Sequence, residues 1–157
     1  MEPWRKLNGE TLEMPIKEAV AATLDAQLKA GFKLKVCIGT DSQVRQNAIT
    51  FATVIVFLRE KSGGFMFVHH SNLPHRLRLK ERMILEVSKS VDIAYQLCDL
   101  VRSFQVDLEV HADINQDPAF LSNKALREAM GYIKGMGFEF KAKPDAFASS
   151  CCADKVV

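Results

Sequence analysis

The chain has 157 residues, 48% hydrophobic and 25% charged, the proportions of a soluble globular protein rather than of a disordered segment. Lys and Arg number 21 against 19 Asp and Glu, and the resulting formal charge of +2 is too small to hold a polyanion, so any nucleic-acid surface must come from local clustering. No apolar run reaches the roughly 20 residues of a membrane-spanning helix, and the opening MEPWRKLNGETLEMP has no basic stretch followed by an apolar core, which points to a cytoplasmic protein.

In chain order, 15–31 reads as a helix. Pro15 suits a first turn, Ile16, Val20, Leu24 and Leu28 recur at four-residue spacing, and Gly31 ends it. A strand follows over 34–41 (LKVCIGTD), then a second over 49–60, rich in β-branched and aromatic residues. The turn 61–64 (KSGG) leads into a third strand over 65–70, so the second and third strands form a hairpin. Helical periodicity returns over 77–101, with Leu79, Met83, Val87 and Val91 as the apolar stripe and Glu86 and Ser90 beside it. The fourth strand, 106–114, alternates cleanly: Leu108, Val110 and Ala112 face one way, and Asp107, Glu109, His111 and Asp113 face the other. A helix over 122–137 has Ser122 as its cap and Gly135 or Gly137 as its stop; a fifth strand covers 138–143, and a last helix starts near 145.

Strands joined by tight turns pair antiparallel, and strands joined through helices pair parallel with right-handed crossovers. The expected fold is therefore α/β: a five-stranded mixed sheet, strands one to three antiparallel and strands one, four and five parallel, with helices on both faces. The length suits one domain over 1–157, with a helical extension over about 1–31 that either covers a sheet face or pairs with a second copy.

In such sheets functional groups gather at the carboxyl ends of the parallel strands. Asp41 ends the first strand and Asp113 lies near the end of the fourth, so parallel neighbours would set the two side by side. Two carboxylates ~4 Å apart repel by a few kcal/mol at an effective dielectric of ~20. No Lys or Arg adjoins either strand end in sequence, so a divalent cation is the economical partner, and an oxygen-only ligand set favours Mg²⁺ or Mn²⁺. Glu86 borders the apolar stripe and is preferred as a third acid over Glu81, which is rotated to the flank. Asp154 or Asp145 supplies a fourth. Acids around two cations form the clamp that stabilises the attacking and leaving oxygens in phosphodiester hydrolysis. The plainer alternative is that each acid is an exposed end of its own strand or helix.

The ordered set of a strand Asp within 40-TDS-42, a helix Glu, a strand Asp and a terminal Asp resembles ribonuclease H-like domains. The stretches IGTDSQ, ERMILE and KPDAFASS are similar to the YkuK-like proteins, a bacterial group described as ribonuclease H-related, over nearly the whole chain from about residue 30. The resemblance implies that Asp41, Glu86, Asp113 and Asp154 are metal-binding and catalytic, with two Mg²⁺ or Mn²⁺ ions. It further implies a nuclease acting on RNA, DNA or a hybrid. The alternative is a catalytically weak or inactive domain of the same fold that binds nucleic acid or a protein. An actin-like phosphotransferase ranks last, because the chain is short for the paired domains that fold needs.

Other features weigh less. In 69-HHSNLPHRLRLKER-82 positive charge opposes the helix macrodipole; phosphate binding by Arg76, Arg78, Lys80 and Arg82 would justify it, against the reading of a solvated basic face. His111 is either a proton shuttle beside Asp113 or a hydrogen-bonded surface histidine. His69 and His70, adjacent on a strand, point to opposite faces. Cys37, Cys98, Cys151 and Cys152 include no CxxC pair and read as small hydrophobes rather than zinc ligands. Ser42 lacks a GxSxG setting, and no P-loop motif is present.

Overall fold

The computed structural model describes residues 2–114, 124–143 and 145–157. Among the described residues one mixed sheet of six strands forms, in the order β1-β4-β3-β2-β5-β6. Its strands are β1 (Arg5–Lys6), β2 (Leu34–Arg45), β3 (Ala48–Arg59), β4 (Gly64–Leu73), β5 (Asp107–His111) and β6 (Glu139–Lys141). The helices are α1 (Ile16–Lys29), α2 (Leu79–Ser103) and α3 (Lys124–Gly135), and a π-helical turn over Ala148–Ala153 runs into the short α4 (Asp154–Val156).

β2, β3 and β4 are antiparallel, while β2–β5 and β5–β6 are parallel, as the connections require. The count of five strands is corrected to six. Arg5 and Lys6 pair antiparallel with Val68 and Phe67, so the N-terminal segment is not simply a helical extension but also contributes an edge strand. Two charged residues carry no strand periodicity, and their pairing comes from tertiary contact.

A second correction concerns Asp41. β2 does not end there; it continues to Arg45 and turns back through Gln46, whose φ of 55° is left-handed, with Arg45 paired to Ala48. Asp41 lies mid-hairpin opposite Ala52. It is nonetheless a boundary of another kind, because the β2–β5 pairing stops at Ile38–Val110. Beyond that point β2 has a partner on one side only.

Strand alternation divides the core between the two faces of the sheet. Val36 and Ile38 of β2 and Leu108 and Val110 of β5 pack with Val20 and Leu24 of α1, Val87 and Val91 of α2 and Ile133 of α3. Helix 15–31 thus covers a sheet face. On the other face Cys37, Val54, Val56, Met66 and Val68 meet Ala148 and Ala153. Each fully buried aliphatic side chain contributes about 1.5–3 kcal/mol. The predicted cap Ser122 lies outside the described residues.

The C-terminal segment can lie this close to the sheet because of Gly39. A Cβ at that position would sit 2.5 Å from the carbonyl carbon of Ala148 and the backbone nitrogen of Ser149, both rigid backbone atoms. Gly39→Ala is expected to cost about 1–3 kcal/mol of stability, the ordinary penalty for overpacking. Urea unfolding followed by circular dichroism measures it.

Candidate acid site

Two side-chain rungs fix α2 against the sheet. Thr40 and Ser42 point from β2 toward α2, where Ser90 and Glu86 stand one helical turn apart. Thr40 Oγ1 hydrogen-bonds Ser90 Oγ at 2.7 Å and Thr53 Oγ1 at 3.0 Å, linking helix and two strands in a buried hydroxyl chain. In the other rung Ser42 Oγ donates to Glu86 Oε1 at 2.5 Å. Arg82, one turn before Glu86, donates from Nε to Ser42 Oγ at 3.1 Å and from Nη2 to Ser42 O at 3.2 Å.

Asp41, between the two rung residues, faces the other way, toward the C-terminal segment. Its Oδ1 accepts the Ser42 backbone N–H at 2.8 Å, and its carboxyl comes within hydrogen-bonding reach of Asp154. Asp113 lies two residues beyond the end of β5, close enough for its charge to act on both Asp41 and Glu86. Asp41 thus neighbours Asp154, and Asp113 acts on both Asp41 and Glu86, although no three of the four acids offer carboxylate oxygens all within 4.8 Å of one another. Glu81 is exposed and lies 3.9 Å from Arg78, away from the group. Asp145 is exposed and acts on Lys141 instead.

The electrostatics record this crowding. Burial first, then Asp154, then the charge of Asp113 push the Asp41 carboxyl up to about 6. Burial raises Glu86 to about 7, helped by Asp41 and Asp113 and opposed by the Ser42 hydroxyl and the Arg82 guanidinium. The expectation that no cation matches these acids needs correction, because two arrive from distant sequence. Lys143 Nζ lies 2.8 Å from Asp113 Oδ1, and Arg82 reaches the Glu86 side through Ser42. Four carboxylates against two cations still leave the cluster negative. Oxygen donors of this kind suit a hard cation in chemistry, but the group whose ligand atoms all lie within 4.8 Å among the described residues is a different one.

The basic residues at the start of α2 separate into different settings. Arg76 donates to Gln46 O at 2.8 and 3.1 Å, which fastens it to the β2–β3 turn. Arg78 and Lys80 are exposed, while Arg82 is half-buried in the acid site.

On the C-terminal face of the sheet, Cys37, Glu109 and His111 form a second cluster whose possible ligand atoms lie within 4.8 Å of one another. His111 is 1% exposed, so the expectation of a surface histidine is corrected. Its Nδ1 accepts the Ala148 N–H at 3.2 Å, which places the proton on Nε2, and Nε2 donates to Glu109 Oε1 at 2.9 Å. A metal-bound histidine normally donates its second N–H; here that nitrogen is already an acceptor. Glu109, despite its burial, is held below the usual range by hydrogen bonds from His111 and Lys35, whose Nζ is 3.0 Å from Oε2. Burial and Glu109 push the Cys37 thiol up to about 12, so in the metal-free protein it is a neutral thiol. The chemistry is that of a satisfied hydrogen-bond network. Sequence offered Arg82 as a phosphate contact, His111 as a shuttle or surface histidine and Ser42 as a weak nucleophile candidate, but not their partners here, nor that of Lys143, because each acts across a long sequence separation.

A carboxyl whose pKa is raised by folding binds protons more readily in the native than in the unfolded state, so stability falls as pH rises between the two values. Between the ordinary values of 3.8 and 4.5 and the raised ones of about 6 and about 7, the metal-free protein should lose stability progressively. Glu86→Gln should flatten that slope and stabilise the metal-free protein at pH 8 by about 1–3 kcal/mol. Thermal unfolding at a series of pH values, with and without Mg²⁺, checks both; the ion should restore the loss in wild type only.

Among the described residues no helix is long and apolar enough to cross a membrane. A family model described as Ribonuclease H-like matches residues 16–157, a span that takes in α1 and all four acids. No curated protein and no solved structure matches the chain.

Proposed function

Because this chain belongs to the ribonuclease H-like family, among its YkuK-like members, we propose that it is a divalent-metal-dependent nuclease hydrolysing nucleic-acid phosphodiester bonds at Asp41, Glu86, Asp113 and Asp154. The observation that carries the reading is the convergence of these acids, two of them pushed up toward neutrality by one another and by burial. Carboxylates from the middle of β2, the segment after β5, a long helix and the C-terminal segment repel one another even with Arg82 and Lys143 beside them, and a divalent cation would relieve that repulsion.

Two Mg²⁺ or Mn²⁺ ions held by the four acids would supply the charge that activates water and stabilises the leaving oxygen. The rest of the reading concerns the chain's own residues. The Thr40–Ser90 and Ser42–Glu86 rungs hold Glu86 at the right height on α2. Arg82 orients Ser42 and tempers the repulsion on Glu86. Arg76, Arg78 and Lys80, at the start of the same helix, offer positive charge to a phosphate backbone, which RNA, DNA and hybrids share.

A second reading, a nucleic-acid-binding module without hydrolysis, draws on Lys143. Its ammonium already sits on Asp113, where a catalytic cation would be needed. Titrating Mn²⁺ into wild type and Asp41→Asn, then incubating each with labelled single strands, duplexes and hybrids, separates the readings. Under the nuclease reading the substitution abolishes both metal uptake and cleavage. Strand binding by wild type with every substrate left intact selects the module, and equal manganese uptake by the two proteins sinks the metal site.

A further inference from the structure

Asp154 is the outlying member of the acid group. It is exposed, it stands at the start of the short helix α4, and it follows a π-helical turn. Something other than local helix stability has to hold it beside Asp41, since an isolated turn of helix is unstable in water.

We infer that His111 and His70 are positioning residues that clamp the C-terminal segment from its two ends, and so set Asp154 against Asp41. This rests on the reading of the acids as a metal site and adds to it the device that completes the site. Upstream of Asp154, the Ala148 N–H donates to His111 Nδ1 at 3.2 Å inside the core. The Phe147 ring stands edge-on to the same imidazole, with centroids 4.7 Å apart. Downstream, His70 Nε2 donates to Val156 O at 2.7 Å. The two histidines come from β4 and β5, so the segment is tied across the sheet, and Gly39 of the intervening β2 lets its backbone settle between the ties.

The imidazole of His111 is suited to this task by its two distinct nitrogens. Glu109, itself paired with Lys35, accepts from Nε2 and thereby leaves Nδ1 free to accept a backbone amide. The chain Lys35–Glu109–His111–Ala148 thus fixes one tautomer, and that tautomer fixes the segment. A histidine serving only to fill the core would not need Nδ1 directed at a backbone donor. The π-helical turn then determines the rotation at which Asp154 emerges; such turns are frequent at functional sites.

Two substitutions dissect the imidazole. In His111→Gln the longer side chain can set its amide nitrogen where Nε2 stood, toward Glu109, leaving no acceptor at the Nδ1 position; in His111→Asn the shorter one can set its amide oxygen where Nδ1 stood, toward the Ala148 N–H, leaving no donor at the Nε2 position. Amide hydrogen exchange followed by mass spectrometry should show His111→Gln and His70→Phe speeding exchange over 148–156 by about tenfold, with 49–57 of the sheet unchanged and His111→Asn close to wild type. Equal loosening by both His111 variants, or by neither, overturns the clamp. If His111→Gln does not fold, His70→Phe decides, and unchanged exchange over 148–156 overturns it.

Manganese titration gives an independent reading. His111→Gln should weaken uptake by about tenfold, the usual scale for a partner acting behind a ligand. The double variant His111→Gln/Asp154→Asn should bind no more weakly than Asp154→Asn alone, because the histidine acts through that acid. Additive losses overturn the inference. No uptake by wild type would defeat the metal site itself, and hydrogen exchange would then settle the clamp by itself.

Discussion

Like charges forced together are the constraint from which the rest of this molecule can be understood. Asp41 and Glu86 are both nearly buried, and each feels the charge of Asp113. A fold tolerates this only if the groups are held by stronger interactions than the repulsion that would part them. The hydroxyl chain Thr53–Thr40–Ser90 and the Ser42–Glu86 bond meet that need from the α2 side. They tie a helix of 25 residues to the two longest strands at the height of the acids.

The opposite face uses a different device. There the C-terminal segment lies almost directly on the β2 backbone, with small residues at the contact: Gly39, Ala148, Ser149 and Ala153. Small side chains bring backbone close to backbone, so a polar group carried by the segment arrives within reach of one carried by the strand. The helical face is deep and rests on large aliphatic side chains; the C-terminal face is shallow and depends on fit. Asp41 belongs to the shallow face and Glu86 to the deep one, and the acid site lies where the two faces meet beyond the end of the β5 pairing.

Much of the architecture was legible in patterns of two and of four residues. The alternation of Leu108, Val110 and Ala112, and the recurrence of Val87 and Val91, placed β5 and α2 on the same core face. Strand order and helix phase are local properties, and they suffice to single out Asp41, Glu86, Asp113 and Asp154 as candidates. Their partners were not legible. Lys143 joins Asp113 from beyond α3 and β6, Arg82 reaches back to β2, and His111 meets an amide far along the chain. Such pairings leave no periodic trace. The polar residues after Asp41 suggest a strand tip, yet 42–45 are ladder residues paired to β3, and Gln43 and Arg45 are exposed where the β5 neighbour has ended. β1 was invisible for the opposite reason: two charged residues have no pattern to show.

The sheet has at its margins its two shortest strands, Arg5–Lys6 and Glu139–Lys141, both dominated by ionic side chains. The long apolar ribbon of β3 is thereby kept in the interior, two strands from one border and three from the other. The two marginal strands present charge to an incoming extended peptide, one of the ways a sheet discourages edge-to-edge pairing.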